Sequence, residues 1–319
     1  MNVIFFNHKI INCGVYQYGK RVIEILQKDL EINYIYKEID CVEEYHKAIS
    51  ENDNIKACIY NYHSATMSWL NSSNIQKKVK NIGIPHESPE YLFDIVCNID
   101  PDAPESYNNF SLPRPIYENI EEIISKPSEN DVINDFINKY TDTEIPIFGS
   151  FGFGFDNKGF DKIIKLVNEQ YDNAVIKFVI PIAYFDPDPN RIYRLSQLCY
   201  NFNYKPGIKL MIINEFFTTS DILKFLYSNT MNIFLYDKMN GRGISSTIDY
   251  ALSVKKPLAI SDSYMFRNIY SDKICLYKNT ITHCLQDSSD YCSIYLKKYS
   301  NKVLIDKFKN ILFISVNKI

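Results

Sequence analysis

The residues best suited to binding phosphate lie at the start of the segment Arg242–Ser261, where small and hydroxylated side chains follow an apolar stretch. Backbone N–H groups, serine hydroxyls and the positive end of a helix hold phosphate together, and an arginine adds charge. Serine is equally typical of an ordinary helix N-cap, so the spacing leaves both interpretations open. The candidate phosphate ligands are Arg242, Gly243, Ile244, Ser245 and Ser246.

A second candidate for phosphate binding is Lys158, which follows the glycine-rich stretch Gly149–Gly154 and precedes Gly159. A lysine at the end of such a loop reaches a diphosphate as a point charge, and Gly154 would bring backbone close to it. A solvated loop lysine is the alternative. The stretch reads GSFGFG rather than GxGxxG, which disfavours a two-domain NAD enzyme.

Two further candidates lie in the first third of the chain. Gly14 and Val15 stand in a strand-to-helix turn, where a glycine lets backbone approach a ligand or simply makes the turn. His86 follows a strand and a proline, which suits sugar-hydroxyl binding or proton transfer, although a loop histidine without a role fits equally well. The other histidines show no metal-ligand spacing and the eight cysteines form no CxxC pair, so we expect neither a metal site nor disulfides.

Strands and helices alternate along the first part of the chain, as a parallel α/β sheet requires. Short apolar runs predict strands, and apolar residues at helical spacing predict helices. The predicted strands are 3–6, 33–39, 55–62, 80–84 and 94–99, and the predicted helices are 18–30 and 42–50. Five prolines between Pro101 and Pro127 then break any long element, so we place a domain boundary there, with domains 1–125 and 126–319.

The alternation resumes after the boundary, which predicts a second α/β domain. Predicted strands are 145–151, 174–180, 208–213, 231–236 and 257–261, and predicted helices are 129–139, 160–171, 191–200, 220–228, 244–253 and 303–313. The last helix could pack back on the first domain. The fold class is therefore two Rossmann-like doubly wound domains, and ligands of such sheets bind beyond the carboxyl ends of the strands, here in a cleft that the two domains would share.

Charge divides unevenly between the two halves. Lysine plus arginine minus acidic residues gives 11 − 18 = −7 for residues 1–125 and 24 − 20 = +4 for residues 126–319. The second half is thus better suited to an anionic ligand, and nucleic acid is disfavoured as the main partner. No signal peptide and no long apolar stretch is evident, so we expect a cytoplasmic protein without a membrane span.

Three segments in this order resemble the GT-B glycosyltransferases, specifically the large retaining family 4. Gly14–Tyr18 looks like the family's N-terminal glycine loop, and Phe151–Phe160 looks like its strand followed by a KGF motif. Gly243–Ser261 looks like its glutamate, helix and A-x-G-x-P-V block. The resemblance covers nearly the whole chain and implies a transferase that moves a sugar from a nucleotide-diphosphate sugar to a glycan, lipid-linked or protein acceptor, with retention and without a metal or other cofactor.

The resemblance also implies residue roles, with the donor on the second domain and the acceptor on the first. Lys158 would contact the diphosphate, and Ser245 and Ser246 would cap it from the helix end. Asp249 would stand where a glutamate holds the ribose, and His86 would approach the transferred sugar. The catalytic candidates are therefore His86, Lys158 and Arg242.

The sequence departs from the family at two places. The first of two expected glutamates falls near 240–242, where there is none, and an arginine usually paired with the lysine is replaced near Phe153. Arg242 or Arg267 could supply that charge from another loop. These departures leave a second interpretation, a binding module of the same fold that has lost catalysis.

Overall fold

The computed structural model describes residues 1–86, 91–188, 190–239 and 243–316, without the side chains of 289, 290 and 314–316. The chain forms two compact units, one of Met1–Ile116 with Lys298–Ile319 and one of Tyr117–Lys297. This division lies earlier in the chain than the boundary expected after residue 125. The cleft expected between the domains stays a prediction.

The first unit is built on a six-stranded parallel sheet. Its strands are β1 Asn2–Asn7, β2 Asn33–Glu38, β3 Ile55–Tyr62, β4 Lys80–Pro85, β5 Ile95–Asn98 and β6 Asn109–Ser111. They run in the order β2-β1-β3-β4-β5-β6, each parallel to its neighbours. The chain therefore leaves β1 first to one side and then to the other, which puts the topological switch point of this sheet between β1 and β3.

The second unit contains a five-stranded parallel sheet. Its strands are β7 Ile147–Phe151, β8 Ala174–Val179, β9 Ile208–Ile213, β10 Met231–Phe234 and β11 Leu258–Ile260. They run in the order β11-β10-β7-β8-β9. This is the strand order of a Rossmann fold, and its switch point lies between β7 and β10.

Helices connect the strands of both sheets. In chain order they are α1 Gly14–Leu26, α2 Val42–Ser50, α3 Glu121–Ile124, α4 Asp131–Asn138, α5 Phe160–Gln170, α6 Arg191–Phe202, α7 Thr219–Ser228, α8 Thr247–Ser253, α9 Ile281–Lys298 and α10 Asn301–Val316. None of the helices in the described ranges is long and apolar enough to cross a membrane. The parallel sheets and their helices confirm the predicted α/β class.

Both cores follow from the apolar runs of the sequence. Val3–Phe6 of β1 is completely buried, as is typical of a parallel strand that is covered on both faces. Leu304, Phe308 and Leu312 of α10 belong to the same buried cluster as the inward side of α1. The last helix therefore packs in the core of the first unit.

Some element boundaries differ from the predicted ones. The helix expected at 18–30 begins at Gly14 and ends at Leu26, and Leu30 is fully exposed. The Asp29 side chain accepts a hydrogen bond of 3.0 Å from the Glu31 N–H, and this local turn competes with a further helical turn. The helix expected at 244–253 begins only at Thr247. Strand β6 and helix α9 were not predicted.

Candidate functional site

Two buried asparagines mark the switch point of the first sheet. Asn7 ends β1, Asn61 lies near the end of β3, and neither is exposed. The Asn61 amide donates to the Asn7 side-chain oxygen at 2.9 Å and to the Val15 carbonyl at 2.7 Å. The Asn7 amide donates to the Tyr16 carbonyl at 3.1 Å. The pair thus fixes the first turn of α1 to the carboxyl ends of β1 and β3.

His86 joins this pair from the end of β4. Its Nε2 lies 2.8 Å from the Asn61 Oδ1. Because both amide hydrogens of Asn61 are already donated to oxygens, this Oδ1 is the acceptor and His86 Nε2 carries the proton. Burial, with a contribution from the Arg114 charge, lowers the pKa of His86 to about 3. His86 is therefore neutral, with a lone pair on Nδ1.

His8 follows β1 directly and is completely buried. The Ile10 backbone N–H donates to His8 Nδ1 at 3.1 Å, so that nitrogen carries no proton. Burial lowers the pKa of His8 to about 4, against the opposing effect of Asp40. The neutral ring therefore carries its proton on Nε2. That N–H finds no hydrogen-bond partner among the residues that the structure describes.

Gly14 and Val15, expected as ligand-binding residues, open α1 beside this cluster. Gly14 is exposed and is not among the described glycines with a positive φ, so the turn does not require a glycine there. The glycine that the site does require is Gly19, which the sequence analysis missed. A Cβ on Gly19 would lie 2.6 Å from the Asn61 Cγ, so only glycine lets the Asn61 amide lie against α1.

Lys158 lies at the switch point of the second sheet. It ends a short 3₁₀ helix after β7, and its Nζ sits 3.8 Å from the centroid of the Tyr236 ring, just after β10. Lys158 forms no ion pair with a carboxylate in the described part of the chain, whereas Lys162 pairs with Asp237. A half-buried cation on an aromatic face differs from a solvated loop lysine, which disfavours that alternative.

Tyr236 links Lys158 to the serine-rich segment. Its side chain is 1% exposed, and its hydroxyl lies 3.2 Å from the Thr247 Oγ1. The Thr247 hydroxyl in turn lies 2.8 Å from the Ser245 Oγ. Sequence reasoning placed Tyr236 only within a predicted strand. The signal that could have identified Tyr236 is its position directly after β10, the first strand on the other side of the switch point.

The serine-rich segment does not form an ordinary cap. Ser246 occupies the N-cap position of α8, but its side chain accepts no hydrogen bond from the helix. Ser245 is buried and its hydroxyl is engaged by Thr247. The exposed Gly243 and the buried Ile244 precede them. Arg242 lies outside the described residues.

The two glycines Gly154 and Gly159, which follow β7, are required for different reasons, close packing and a left-handed backbone conformation. A Cβ on Gly154 would lie 2.9 Å from the Ile192 Cγ1, so Gly154 allows close packing against α6. Gly159 has φ 67° and ψ 28° and precedes α5. Phe153, expected where the family has an arginine, packs with Phe185 at a centroid distance of 6.0 Å. No cation therefore replaces the arginine at that position.

The two remaining candidates of the second unit are the buried Asp249 and the half-buried Arg267. Asp249 is 3% exposed within α8. The guanidinium of Arg267 lies 4.0 Å from the centroid of the Tyr264 ring, and its Nη1 donates to the Tyr264 carbonyl at 2.9 Å. The structure thus connects Lys158 to Ser245 through Tyr236 and Thr247. The described residues contain no group of acidic, histidine or cysteine side chains that could hold a metal ion.

Comparison with known proteins gives similar structures and no similar sequences. No protein-family model matches the chain, and no curated protein sequence matches it. A glycosyltransferase from Rickettsia africae matches with a TM-score of 0.68 and 10% identity, over 100% of this chain and 99% of its own. Anabaena HepE in complex with UDP-glucose matches with a TM-score of 0.69 and 11% identity, over 98% and 99% of the two chains.

A third structure is the UDP-forming α,α-trehalose-phosphate synthase from Burkholderia xenovorans in complex with glucose-6-phosphate. It matches with a TM-score of 0.65 and 9% identity, over 98% of this chain and 100% of its own. At such low identity the likeness shows the fold alone. The fold is therefore GT-B, with two Rossmann-like domains, as predicted.

Proposed function

We propose that this protein is a glycosyltransferase that uses a nucleotide-diphosphate sugar as its donor. The observation that carries the proposal is Lys158, a cation held on the Tyr236 ring at the β7–β10 switch point with no carboxylate partner in the described ranges. Such an unneutralised cation at the carboxyl ends of parallel strands is suited to a diphosphate. Similar folds crystallised with UDP-glucose support a nucleotide-sugar donor.

The diphosphate would be bound by groups from two loops of the second unit. Lys158 would supply the charge, and the backbone around Gly154 would approach the same phosphate. The other contacts would come from Gly243, Ile244, Ser245 and Ser246. Ser246 suits this role because its hydroxyl makes no capping hydrogen bond to α8. Arg242 would add a second cation, and Asp249 is the candidate for the ribose.

The chemical role of these groups follows from where charge develops. When the bond between the sugar and the diphosphate breaks, negative charge accumulates on the leaving phosphate oxygen. A fixed cation and N–H donors stabilise that charge more in the transition state than in the ground state. Protein groups could thus supply the stabilisation without a metal ion. We further propose retention at the anomeric carbon, which rests on the resemblance to family 4.

His86 would contact the transferred sugar, as the resemblance to family 4 implies. Its Nε2–H is held by Asn61 at 2.8 Å, which leaves Nδ1 as a hydrogen-bond acceptor for a sugar hydroxyl. Because burial keeps the ring neutral, His86 would act through hydrogen bonding rather than as a cation. The acceptor would be a glycan, a lipid-linked sugar or a protein.

A binding module without catalysis is the second candidate function. It is favoured by the burial of Asp249, which is 3% exposed, and by Phe153 in place of a second cation. Fewer donors on the leaving group would mean slower chemistry. The two candidates differ in turnover, because both predict nucleotide binding.

Thermal-shift titrations with UDP-, GDP- and ADP-sugars, followed by donor-hydrolysis and transfer assays, test the proposal. We expect one nucleotide sugar to raise the melting temperature and to be turned over. Stabilisation without turnover would favour the binding module, and stabilisation by NAD instead would contradict both.

The Lys158→Ala variant tests the position of the diphosphate. A charge-assisted contact contributes about 1.5–3 kcal/mol, so donor affinity or turnover should fall roughly 10- to 150-fold. Lys158→Arg should restore part of the loss. The matched control is Lys165→Ala, because Lys165 lies 3.7 Å from the centroid of the Phe202 ring but pairs with Asp161. Equal kinetics for Lys158→Ala and Lys165→Ala would show that the diphosphate is misplaced.

A further inference from the structure

Strand β9 is an open edge of the second sheet. Proteins usually protect such edges with a covering segment, with charged side chains or by keeping the edge strand short. At the opposite edge of this sheet, the Ile260 carbonyl of β11 accepts from the Leu276 N–H at 3.0 Å. In the first sheet, β2 carries Lys37 and Glu38, and β6 is three residues long. Among the described residues β9 pairs with β8 alone, and it is six residues long.

The backbone of β9 directs alternate residues towards β8 and away from it. Hydrogen bonds from the β8 side reach the carbonyls of Gly207 at 3.4 Å and of Ile213 at 2.9 Å. Odd-numbered residues of the strand therefore face β8, and even-numbered residues direct their N–H and C=O outward.

One of the outward residues already has its partners, and two do not. The Ile208 N–H donates to the Lys205 carbonyl, and the Ile208 carbonyl accepts from the Asn203 amide, both at 3.0 Å. The outward N–H and C=O groups of Leu210 and Ile212 have no hydrogen-bond partner within the described part of the chain. They leave two donors and two acceptors in a row along the edge.

The surface beside this row is apolar. The four residues Leu210–Ile213 are all apolar and half-buried. Helix α6, which joins β8 to β9, turns Phe202 towards α5, where Lys165 lies 3.7 Å from the ring centroid. The opposite side of α6 therefore lies over the β9 edge. That side carries Tyr193 and Tyr200, which are 67% and 47% exposed.

The exposed tyrosine surface at this edge is large enough to contribute to a stable interface. Tyr204, just before β9, is 66% exposed. With about 200 Å² for a whole tyrosine, the exposed parts of Tyr193, Tyr200 and Tyr204 come to roughly 350 Å² per copy. A standard interface buries about 800 Å² per partner, so these three side chains would supply close to half of it.

The β9 edge is complementary to itself. When two copies meet antiparallel about a two-fold axis centred on Met211, Leu210 of each copy lies opposite Ile212 of the other. Each such pair exchanges two hydrogen bonds, so all the free N–H and C=O groups are used. Lys209 then lies opposite Ile213 of the second copy. Lys209 is the only charged residue of β9, so like charges do not face each other across the contact.

We propose that two copies of this chain associate through β9, antiparallel, and thereby join their five-stranded sheets into one continuous sheet. The two-fold axis keeps both α6 helices on the same face, so Tyr193, Tyr200 and Tyr204 of one copy pack against those of the other. The proposal concerns assembly and does not depend on the proposed function.

Disulfide trapping of the full chain tests the register. In the proposed contact the two Met211 Cα atoms lie about 4.5 Å apart, within the range that a disulfide spans. Met211→Cys should therefore be captured as a covalent dimer under mild oxidation. Lys209→Cys is the matched control, because its two Cα atoms would lie about 14 Å apart. The parent protein, oxidised in parallel, measures the background from the native cysteines, which are buried or half-buried.

Sedimentation velocity at micromolar concentrations tests the association itself. We expect the parent chain to be a dimer, and Met211→Lys and Met211→Glu each to raise its dissociation constant at least about tenfold, because like charges would face each other. An equimolar mixture of the two variants should restore the dimer, since opposite charges then meet, and this recovery also shows that both variants are folded. A monomeric parent, a dimer that neither charge weakens, or equal trapping of Lys209→Cys and Met211→Cys would each overturn the proposal.

Discussion

Replacement of Gly159 by alanine should destabilise the second unit and displace Lys158. Gly159 has φ 67°, a left-handed conformation that costs a residue with a side chain about 1–2 kcal/mol. An added Cβ would also lie 2.9 Å from the Leu235 carbonyl carbon and closer still to its oxygen. Both obstructing atoms belong to the backbone just after β10, so the neighbour cannot give way by rotating a side chain.

The two effects together set the expected magnitude. Relieving such a clash in a packed interior typically costs a further 1–3 kcal/mol or so. We therefore expect the free energy of unfolding to fall by about 2–5 kcal/mol. With a urea slope of about 2 kcal/mol per molar, the unfolding midpoint should move down by roughly 1–2.5 M.

Urea titrations followed by circular dichroism measure this change, and nucleotide-sugar titrations of the variant measure its effect on the site. Because Lys158 directly precedes Gly159, the folded variant should also bind the donor more weakly. The control is Gly14→Ala, since Gly14 has no positive φ and is exposed, and its stability should stay within about 0.5 kcal/mol of the parent. A Gly159→Ala variant as stable as Gly14→Ala would refute the reasoning.

Three further predictions concern other parts of the fold. Tyr236→Phe should lower stability by about 1 kcal/mol and weaken donor binding, because the hydroxyl that lies 3.2 Å from the Thr247 Oγ1 is lost while the ring under Lys158 stays. Titration calorimetry with the nucleotide sugar would measure the change in affinity. Unchanged binding would show that the hydroxyl has no part in the site. Phe308→Ala should cost about 3–5 kcal/mol because Phe308 is fully buried in the first core, and a loss below 1 kcal/mol in chemical denaturation would argue against the packing of α10 there. Stability should fall as the pH drops from about 6.5 towards 4, because His8 and His86, with pKa values lowered to about 4 and about 3, stay largely neutral in the folded protein while the unfolded chain takes up protons. Denaturation at stepped pH should show a loss of about 5 kcal/mol over this window, and a flat profile would contradict the buried neutral rings.

Much of the architecture is determined by local sequence pattern. Runs such as Val3–Phe6 are apolar at consecutive positions, which is what a strand covered on both faces of a parallel sheet requires. The alternation of such runs with helical spacing therefore predicted both α/β sheets. The end of α1 was predicted wrongly, because the side chain of Asp29 offers the backbone a competing turn. Strand β6 has three half-buried residues and gives no pattern of its own.

The candidate site, like the fold, is only partly predictable from local sequence pattern. Lys158 could be identified as a candidate from the sequence, because a lysine after a glycine-rich loop is a local feature. Its partner Tyr236 is 78 positions further along, 236 − 158 = 78, and only the strand order β10-β7 brings the two side chains together. No local pattern reports which strands become neighbours.

His8 and Gly19 show the same limit in the first unit. A histidine after a strand has no distinctive spacing, and its unpartnered Nε2 exists only because tertiary packing buries it while Nδ1 is held by the backbone. Gly19 is required because Asn61, from another strand, occupies the space that a Cβ would fill. The sequence alone determined the two-sheet architecture and the phosphate-binding candidates. The tertiary structure decided which polar groups meet at each switch point, because strand neighbours are fixed by long-range packing rather than by local periodicity.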